Sequence, residues 1–416
     1  SRRVLAMPTR RHLVAATASA VLAPLFVVSV AGPASTAVAA DGPLASSIAV
    51  SWQRTAIRTI YAEQGLAPPA GGLYLAFTSM AVHDAAVDAQ RNGTHAAAAA
   101  VATAAHDVLR HYFPTSGTAL DRDLAASLAK VPNGKKEASG TQVGAAAAAA
   151  MIASRVGDGR NDASIVYAKT PALGIWQPPP SGMALPWLGF VDPVVDIAPV
   201  VLDGPDPITS AAFAQDHEEV RMLGSNALTP PLTNRTAEQT AVARFFSANP
   251  VPVYRDAVCT LLENEPMGLL PTTRFFARVD AAMAMSFIEA WRLKYEVGFW
   301  RPFQAIAAAG VDVNPGTQPH PVPWEPLVPN PAYSDYPSGH AQATSAFAQV
   351  LRETLGDDTA LVLKSGGVER SYSTLTALEH DAFPARIWGG LHFRDAMDDG
   401  YYLGHTTADR VMKVVR

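Results

Sequence analysis

Residues 272–298 read TTRFFARVDAAMAMSFIEAWRLKYEVG and form the longest helical pattern in the chain. Apolar residues recur every three or four positions, the spacing that places them on one face of an α-helix. No glycine or proline interrupts the pattern before Gly298, and Pro302 soon follows as a further turn signal. We therefore predict a long helix over Thr272–Gly298.

The same periodicity covers most of the remaining chain, and no stretch shows sustained alternation of β-branched residues. Two proline-rich stretches, Tyr167–Pro207 and Pro315–Pro337, are predicted loops. The predicted helices are Leu44–Gly65, Gly72–Gln90, His95–Phe113, Ala119–Lys130, Thr141–Val156, Ser210–Leu223, Thr236–Ser247, Tyr254–Glu263, Thr272–Gly298, Phe303–Ala309, Gly339–Leu355 and a last helix from about His392 to Val415. The sequence thus predicts an all-α protein, with two packed helical bundles.

The composition is that of a globular protein, with 49% apolar residues, 17% charged residues and a formal net charge of -5. These values exclude a disordered chain and a basic nucleic-acid-binding protein, so we expect no nucleic acid partner. Cys259 is the only cysteine, which excludes an internal disulfide. The histidines form no H-E-x-x-H or paired Cys–His pattern, so we expect no conventional zinc site.

Residues 1–40 have the pattern of an export signal, in which Arg10-Arg11 precedes an apolar, alanine-rich stretch. Both the twin-arginine route and the general route stay open. The apolar stretch contains Pro24 and is shorter than the roughly 20 residues of a membrane span. We therefore expect cleavage near Ala39-Ala40 and a secreted or extracytoplasmic mature domain, residues 41–416, without a stable membrane span.

Two cations lie seven residues apart in KYEVGFWRP, residues 294–302. On a continuous helix, Lys294 and Arg301 would share a face and lie about 10 Å apart along the axis. Pro302 disfavours helical geometry at Arg301 and can begin the next helix, so a kink there would direct both cations toward one anion. Considered alone, the segment also fits a solvated basic face.

The segment YPSGHA, residues 336–341, ends a proline-rich loop and opens a predicted helix. Free backbone N–H groups and the positive end of the helix dipole point outward at such a start. Ser338 adds a hydroxyl donor, Gly339 permits close approach of an anion, and His340 would exchange protons beside it. The alternative is an ordinary capping serine followed by a packed histidine.

The segment RIWGGLH, residues 386–392, supplies a third cation and a second histidine across a glycine pair. Asp395 lies three residues after His392, where it would share a helix face and orient the ring. A histidine held in this way can bond to phosphorus or to the metal of an oxyanion. A core histidine and a surface arginine are the alternative reading of this segment.

Together the three segments resemble K-x6-R-P … P-S-G-H … S-R-x5-H-x3-D, the signature of vanadium haloperoxidases and type 2 acid phosphatases (the PAP2 superfamily). The resemblance is to the bacterial haloperoxidase-like branch, and its motifs lie within residues 291–400. Ala385 stands in place of the signature serine, and Asp395 comes one position early. Weaker matches at 83–89, 104–109, 219–225 and 235–240 extend the resemblance over most of the mature chain.

This resemblance implies two four-helix bundles and an oxyanion site in one of them, with vanadate as the cofactor. His392 would bond to the vanadium, and His340 would act with it as a catalytic residue. Trp291 matches a tryptophan of the halide-oxidising branch, and Asp395 would support His392. The residues implied to bind the cofactor are Lys294, Arg301, Ser338, Gly339, Arg386 and His392.

The resemblance favours a vanadium-dependent haloperoxidase, whose small-molecule substrates would be hydrogen peroxide, a halide and an organic acceptor. An exported acid phosphatase with a phosphohistidine intermediate at His392 is an alternative, because phosphate and vanadate share tetrahedral geometry and similar charge. A non-catalytic oxyanion-binding protein is a third reading, although anion binding alone would need the cations and neither histidine. The choice among chloride, bromide and iodide stays open, as does the oligomeric state.

Overall fold

The structure is a computed structural model that describes residues 42–93, 95–310 and 314–416. Within these ranges, helices form where apolar residues recur periodically. The predicted signal segment, residues 1–40, lies outside those ranges. The helices of the described residues are α1 (Gly42–Ile57), α2 (Pro68–Asn92), α3 (Ala97–Tyr112), α4 (Gly117–Leu128), α5 (Lys135–Ser154), α6 (Ala211–Leu223), α7 (Ala237–Phe245), α8 (Pro250–Asn264), α9 (Leu269–Glu296), α10 (Pro302–Ala308), α11 (Gly339–Leu355), α12 (Leu375–Trp388) and α13 (Arg394–Val414).

Helix α9 is the central element of the fold. Nearly every residue from Phe275 to Trp291 is buried, so α9 is enclosed on all sides and not amphipathic. It packs on α1 and α2 of one helical group and on α11 and α13 of a second group. The prediction of an all-α fold with two packed helical bundles is confirmed.

Small residues let the helices of the first group approach closely. Helices α2, α3 and α5 pack on one another, and α1 packs on α3. A Cβ atom at Gly144 of α5 would lie 2.3 Å from the Ala100 carbonyl oxygen of α3, closer than real side chains approach. The alanine-rich sequence of α3 therefore serves packing as well as helix propensity.

In the second group, α13 lies against α11. A Cβ atom at Gly404 would come 2.0 Å from the Ser345 hydroxyl oxygen and 2.3 Å from the Gln342 carbonyl oxygen. The starts of the two helices are joined as well, since the Ser338 backbone N–H donates to the Ala396 carbonyl oxygen at 2.9 Å. This contact brings the segment before α13 next to the N-terminus of α11.

The structure adds two features that the sequence patterns did not predict. Strands β1 (Leu361–Ser365) and β2 (Val368–Tyr372) form an antiparallel hairpin, each too short to show a clear alternation. Helix α12 contains Pro384 in its interior, which argues against a helix when the sequence is considered alone. Among the helices of the described ranges, none combines the length and hydropathy that crossing a membrane requires.

Candidate active site

Lys294 and Arg301 lie on different elements, separated by the break that the sequence predicts before Pro302. Helix α9 ends at Glu296, and Gly298 follows with a φ of +63° that suits glycine. Arg301 is the extended residue just before α10, with φ −87° and ψ 158°. The two cations converge because the chain turns between them, with Pro302 opening the next helix as expected.

Both side chains point into the protein and anchor on the loop before α11. The Lys294 ammonium donates to the carbonyl oxygens of Ser334 at 2.9 Å and Asp335 at 2.8 Å. Arg301 donates from Nε to the Tyr333 carbonyl oxygen at 2.8 Å and from Nη1 to that of Leu391 at 2.7 Å. Each cation is 0% exposed, so the reading as a solvated basic face is wrong.

The positive charges lie in a poorly solvated environment. Burial lowers the pKa of Lys294 well below its usual value, and the nearby Arg301 guanidinium lowers it further. Burial likewise lowers the pKa of Arg301 and brings that of Arg386 to about 10. A negatively charged ligand among these three groups would restore their preference for the charged form.

The N-terminus of α11 faces the same region. Ser338 is the capping residue, and its hydroxyl oxygen accepts a hydrogen bond from the Ala341 backbone N–H at 3.3 Å. This cap does not use the hydroxyl proton, which leaves Ser338 able to donate to a ligand. The capping role that the sequence suggested as an alternative is therefore real, and it is compatible with anion binding.

Trp291 lies directly against this helix start. A Cβ atom at Gly339 would come 3.2 Å from Cζ3 of Trp291, so the bare backbone allows the ring to pack there. The indole also stacks at an angle on Tyr333, with ring centroids 4.8 Å apart, and donates to the Ala184 carbonyl oxygen at 3.2 Å. Trp291 thus supports the site by packing, and its part in halide oxidation stays a prediction.

His340 and Arg386 line the same small pocket. Arg386 extends from the last turn of α12 and donates from Nη1 to the Phe246 carbonyl oxygen at 3.2 Å. Burial lowers the pKa of His340 well below 6.5, and Arg386 adds to the shift. This lowered pKa favours the neutral form of the His340 ring. The pocket is lined by Phe245, Phe246, Ala248, Pro250, Val253, Tyr254, His340, Thr344, Ala382 and Arg386.

His392 lies in the segment between α12 and α13, with 1% of its surface exposed. Its Nδ1 atom is 2.8 Å from Oδ1 of Asp335, and its Nε2 atom is 3.4 Å from Nη1 of Arg301. Burial lowers the pKa of His392 well below 6.5, and the Arg301 charge lowers it further. The neutral form of the ring is favoured at His392 as well.

Asp395 does not orient His392, contrary to the sequence-based prediction. Helix α13 begins at Arg394, so His392 precedes it and the expected shared helix face does not form. The Asp395 carboxylate instead accepts a hydrogen bond from the Asp206 backbone N–H at 3.0 Å. Its own backbone N–H donates to the Asp216 carboxylate at 2.8 Å.

Asp335 is the functional candidate that the sequence reasoning missed. It is 0% exposed and contacts His392 across 57 positions of sequence. Burial raises the pKa of Asp335 to about 7, while Arg301 and Lys294 act in the opposite direction. The available signal was an acid placed immediately before the YPSGH segment, in a loop otherwise rich in proline.

Two guanidinium donors at this site have no hydrogen-bond partner in the described part of the chain, Nη2 of Arg301 and Nε of Arg386. Buried donors are rarely left unsatisfied in folded proteins, so their presence fits a ligand that accepts hydrogen bonds. Three cations and one carboxylate surround the site, with the Ser338 hydroxyl beside them. This donor set suits a tetrahedral oxyanion, and vanadate and phosphate are both of that kind.

Residues 274–416 match the family model described as the VCPO second helical-bundle domain. That range includes the three cations, both histidines, Ser338 and Asp335, whereas part of the pocket wall, in residues 245–254, lies before it. The match covers about a third of the chain, and this part is similar to that domain, while the likeness of the whole chain to solved structures is a likeness of fold.

Three solved structures share the fold. A bacterial vanadium-dependent iodoperoxidase is 20% identical, with a TM-score of 0.67 over 90% of this chain and 96% of its own. An apo-type bacterial vanadium-dependent chloroperoxidase is 17% identical, with a TM-score of 0.66 over 83% and 93%. The holo-type chloroperoxidase is 18% identical, with a TM-score of 0.63 over 84% and 93%. No curated protein matches the sequence.

Proposed function

We propose that the protein is a vanadium-dependent haloperoxidase, which oxidises a halide with hydrogen peroxide and halogenates an organic acceptor. The observation that carries this proposal is the convergence of three buried cations and two histidines around unsatisfied guanidinium donors. The similar solved structures are an iodoperoxidase and two forms of a chloroperoxidase, which supports the same reading.

Vanadate would be held by the cations Lys294, Arg301 and Arg386, with the Ser338 hydroxyl and the Gly339 amide donating to its oxygens. When bound, vanadate would supply the activation of hydrogen peroxide toward attack by halide. The cations would offset its negative charge in a site where burial makes electrostatic interactions strong. Their positions are fixed by hydrogen bonds to backbone carbonyl groups, so little reorganisation is needed on binding.

The two histidines would have different roles. A neutral His392 has a lone pair on one ring nitrogen, which a bond to the metal of an oxyanion requires. His340 would take a proton from the peroxide at the pocket wall. A bound dianion would offset the charges of Arg386 and its neighbours and so raise the pKa of His340 toward the range useful near neutral pH.

Acid phosphatase activity is the second candidate, because the contact between Asp335 and His392 would equally suit a nucleophilic histidine. Parallel assays separate the two activities. We expect the purified protein to oxidise bromide or iodide with hydrogen peroxide only after vanadate is added, and to hydrolyse a generic phosphomonoester poorly. Phosphomonoester hydrolysis without any halide oxidation would assign the phosphatase, and neither activity with intact vanadate binding would favour the non-catalytic reading.

We also propose that the mature protein acts outside the cytoplasm. The support is the sequence pattern of residues 1–40, with Arg10-Arg11 before an apolar stretch. Expression of the chain in a bacterial host should yield an exported form whose N-terminus, read by mass spectrometry, lies near residue 41. Retention of an uncleaved chain in the cytoplasm would contradict this proposal.

A further inference from the structure

The backbone of Asp335 is fixed at the junction between α9 and α10. Its N–H donates to the Phe299 carbonyl oxygen at 2.9 Å, and its carbonyl oxygen accepts from the Lys294 ammonium at 2.8 Å. The residue is fully buried, so its carboxylate has little freedom to move. One residue therefore connects the first cation of the site to the histidine that follows α12.

The contacts of His392 select one tautomer of the neutral ring. Nδ1 faces a carboxylate oxygen of Asp335, which accepts hydrogen bonds, so the ring proton belongs on Nδ1. Nε2 faces Nη1 of Arg301, which can only donate, so Nε2 carries the lone pair. Both neighbours therefore favour the same arrangement, in which the lone pair points toward the guanidinium side of the site.

We infer that Asp335 is the positioning residue that fixes the His392 ring and its tautomer, so that Nε2 is the atom presented to a bound oxyanion. The acid comes from the loop before α11, whereas the signature places an acid after the histidine on the terminal helix. Helix α13 begins too late here for Asp395 to reach the ring. The identity of the oxyanion as vanadate rests on the proposed function, but the ring arrangement does not.

Nitrogen NMR of the anion-free protein labelled with ¹⁵N-histidine tests the inference directly, with His392→Ala used to assign the signals. We expect a protonated Nδ1 and an unprotonated Nε2 in the wild type. Asp335→Leu removes the acceptor and should shift the His392 signals toward the Nε2-protonated form. Asp335→Asn retains an acceptor oxygen and should largely keep the wild-type pattern.

Vanadate affinity, measured by titration calorimetry, gives a second readout. Removing the hydrogen-bond partner of a metal-ligating histidine usually weakens metal binding by about 10–100-fold. We expect Asp335→Leu to weaken vanadate binding by a factor of that size. The Asp335→Asn variant should lose less. Asp395→Asn is the control matched to Asp335→Asn, because it makes the same change in a half-buried acid whose hydrogen-bond partners are Asp206 and Asp216 and not His392.

An Nε2-protonated His392 in the wild type would overturn the inference, and this result needs no variant to fold. An unchanged His392 spectrum in a folded Asp335→Leu protein would overturn it as well, as would a shift produced by Asp395→Asn. If the wild type binds no vanadate, the proposed function fails, while the spectrum of the anion-free protein still decides the role of Asp335.

Discussion

Lys294 is a buried cation whose partners are two backbone carbonyl oxygens. Carbonyl dipoles offset part of the desolvation penalty, but the pKa of Lys294 is still lowered well below its usual value by burial and by Arg301. Without an anion, this residue stores unfavourable electrostatic energy. Sites that bind charged ligands commonly have this property, because function is favoured there at some cost in stability.

Replacing Lys294 with methionine should separate its effect on protein stability from its effect on vanadate binding. Lys294→Met keeps the length of the side chain and removes the buried charge, so the free energy of unfolding of the anion-free protein should stay the same or rise. Vanadate binding should weaken by about 3–5 kcal/mol, since negative charge is left uncompensated in a buried site.

Thermal unfolding and titration calorimetry measure the two effects, and the exposed Lys413→Met is the matched control. A clear loss of stability with unchanged vanadate affinity would mean that Lys294 has only a structural role.

His340 allows binding and catalysis to be separated at one residue. His340→Ala removes a neutral ring and no cation, so vanadate should bind with nearly wild-type affinity. Halide oxidation should fall about 10²–10⁴-fold, the usual contribution of a positioned acid–base group. Steady-state rates at saturating vanadate check this result. Wild-type turnover in the variant would exclude His340 from proton transfer.

At the scale of elements, the site depends on the packing of α11 against α13. Gly404→Ala would force a methyl group against Ser345 and the Gln342 carbonyl oxygen, where there is no space for it. Overpacking of this kind usually costs about 1–3 kcal/mol, and it would also shift Ser338 relative to His392. We expect a lower unfolding midpoint and weaker vanadate binding.

Gly42→Ala is the matched control, because no atom of the described residues lies within 4 Å of the added atom. An unchanged unfolding midpoint in Gly404→Ala would show that the two helices can separate without cost.

The contact between α3 and α4 should depend on pH. Burial lowers the pKa of His106, but its hydrogen bonds with Asp107 and Asp121 outweigh that effect and raise the pKa above 6.5. A raised pKa in the folded state means that the stabilisation is fully present below the unfolded value of about 6.5 and is lost as pH rises through the folded pKa.

The unfolding midpoint of wild type should therefore exceed that of His106→Gln by more at mildly acidic pH than at mildly alkaline pH. A difference between the two proteins that stays constant with pH would mean that folding does not change the pKa of His106.

The sequence predicts best the features that depend on residues close together along the chain. The periodicity of Thr272–Gly298 predicted α9 to within a few residues, and YPSGHA predicted the start of α11 at Gly339. The sequence does not predict helix α12, because Pro384 lies in its interior and proline there argues against a helix. The sequence pairs Asp395 with His392 because it predicts a helix that begins at His392. Helix α13 begins at Arg394, so the two residues do not share a helix face.

At the scale of the whole molecule, the site exists only when distant segments meet. Arg301 binds the Leu391 carbonyl oxygen 90 positions away, and Asp335 binds His392 across 57 positions. Residue types and spacing could indicate which groups belong to the site, since each motif carries its own chemistry. They could not indicate which acid faces His392, because that contact depends on how α9, α11 and α13 are packed.

Competition between phosphate and vanadate tests the central claim most directly, because the account assigns both anions to one site. Halide oxidation by the vanadate-loaded protein should be inhibited by inorganic phosphate, and added vanadate should relieve the inhibition in proportion to its concentration. His392→Ala should remain folded yet show no halide oxidation at any vanadate concentration. A vanadate-loaded wild type that oxidises neither bromide nor iodide, yet hydrolyses a phosphomonoester in a reaction that vanadate blocks, would contradict the account.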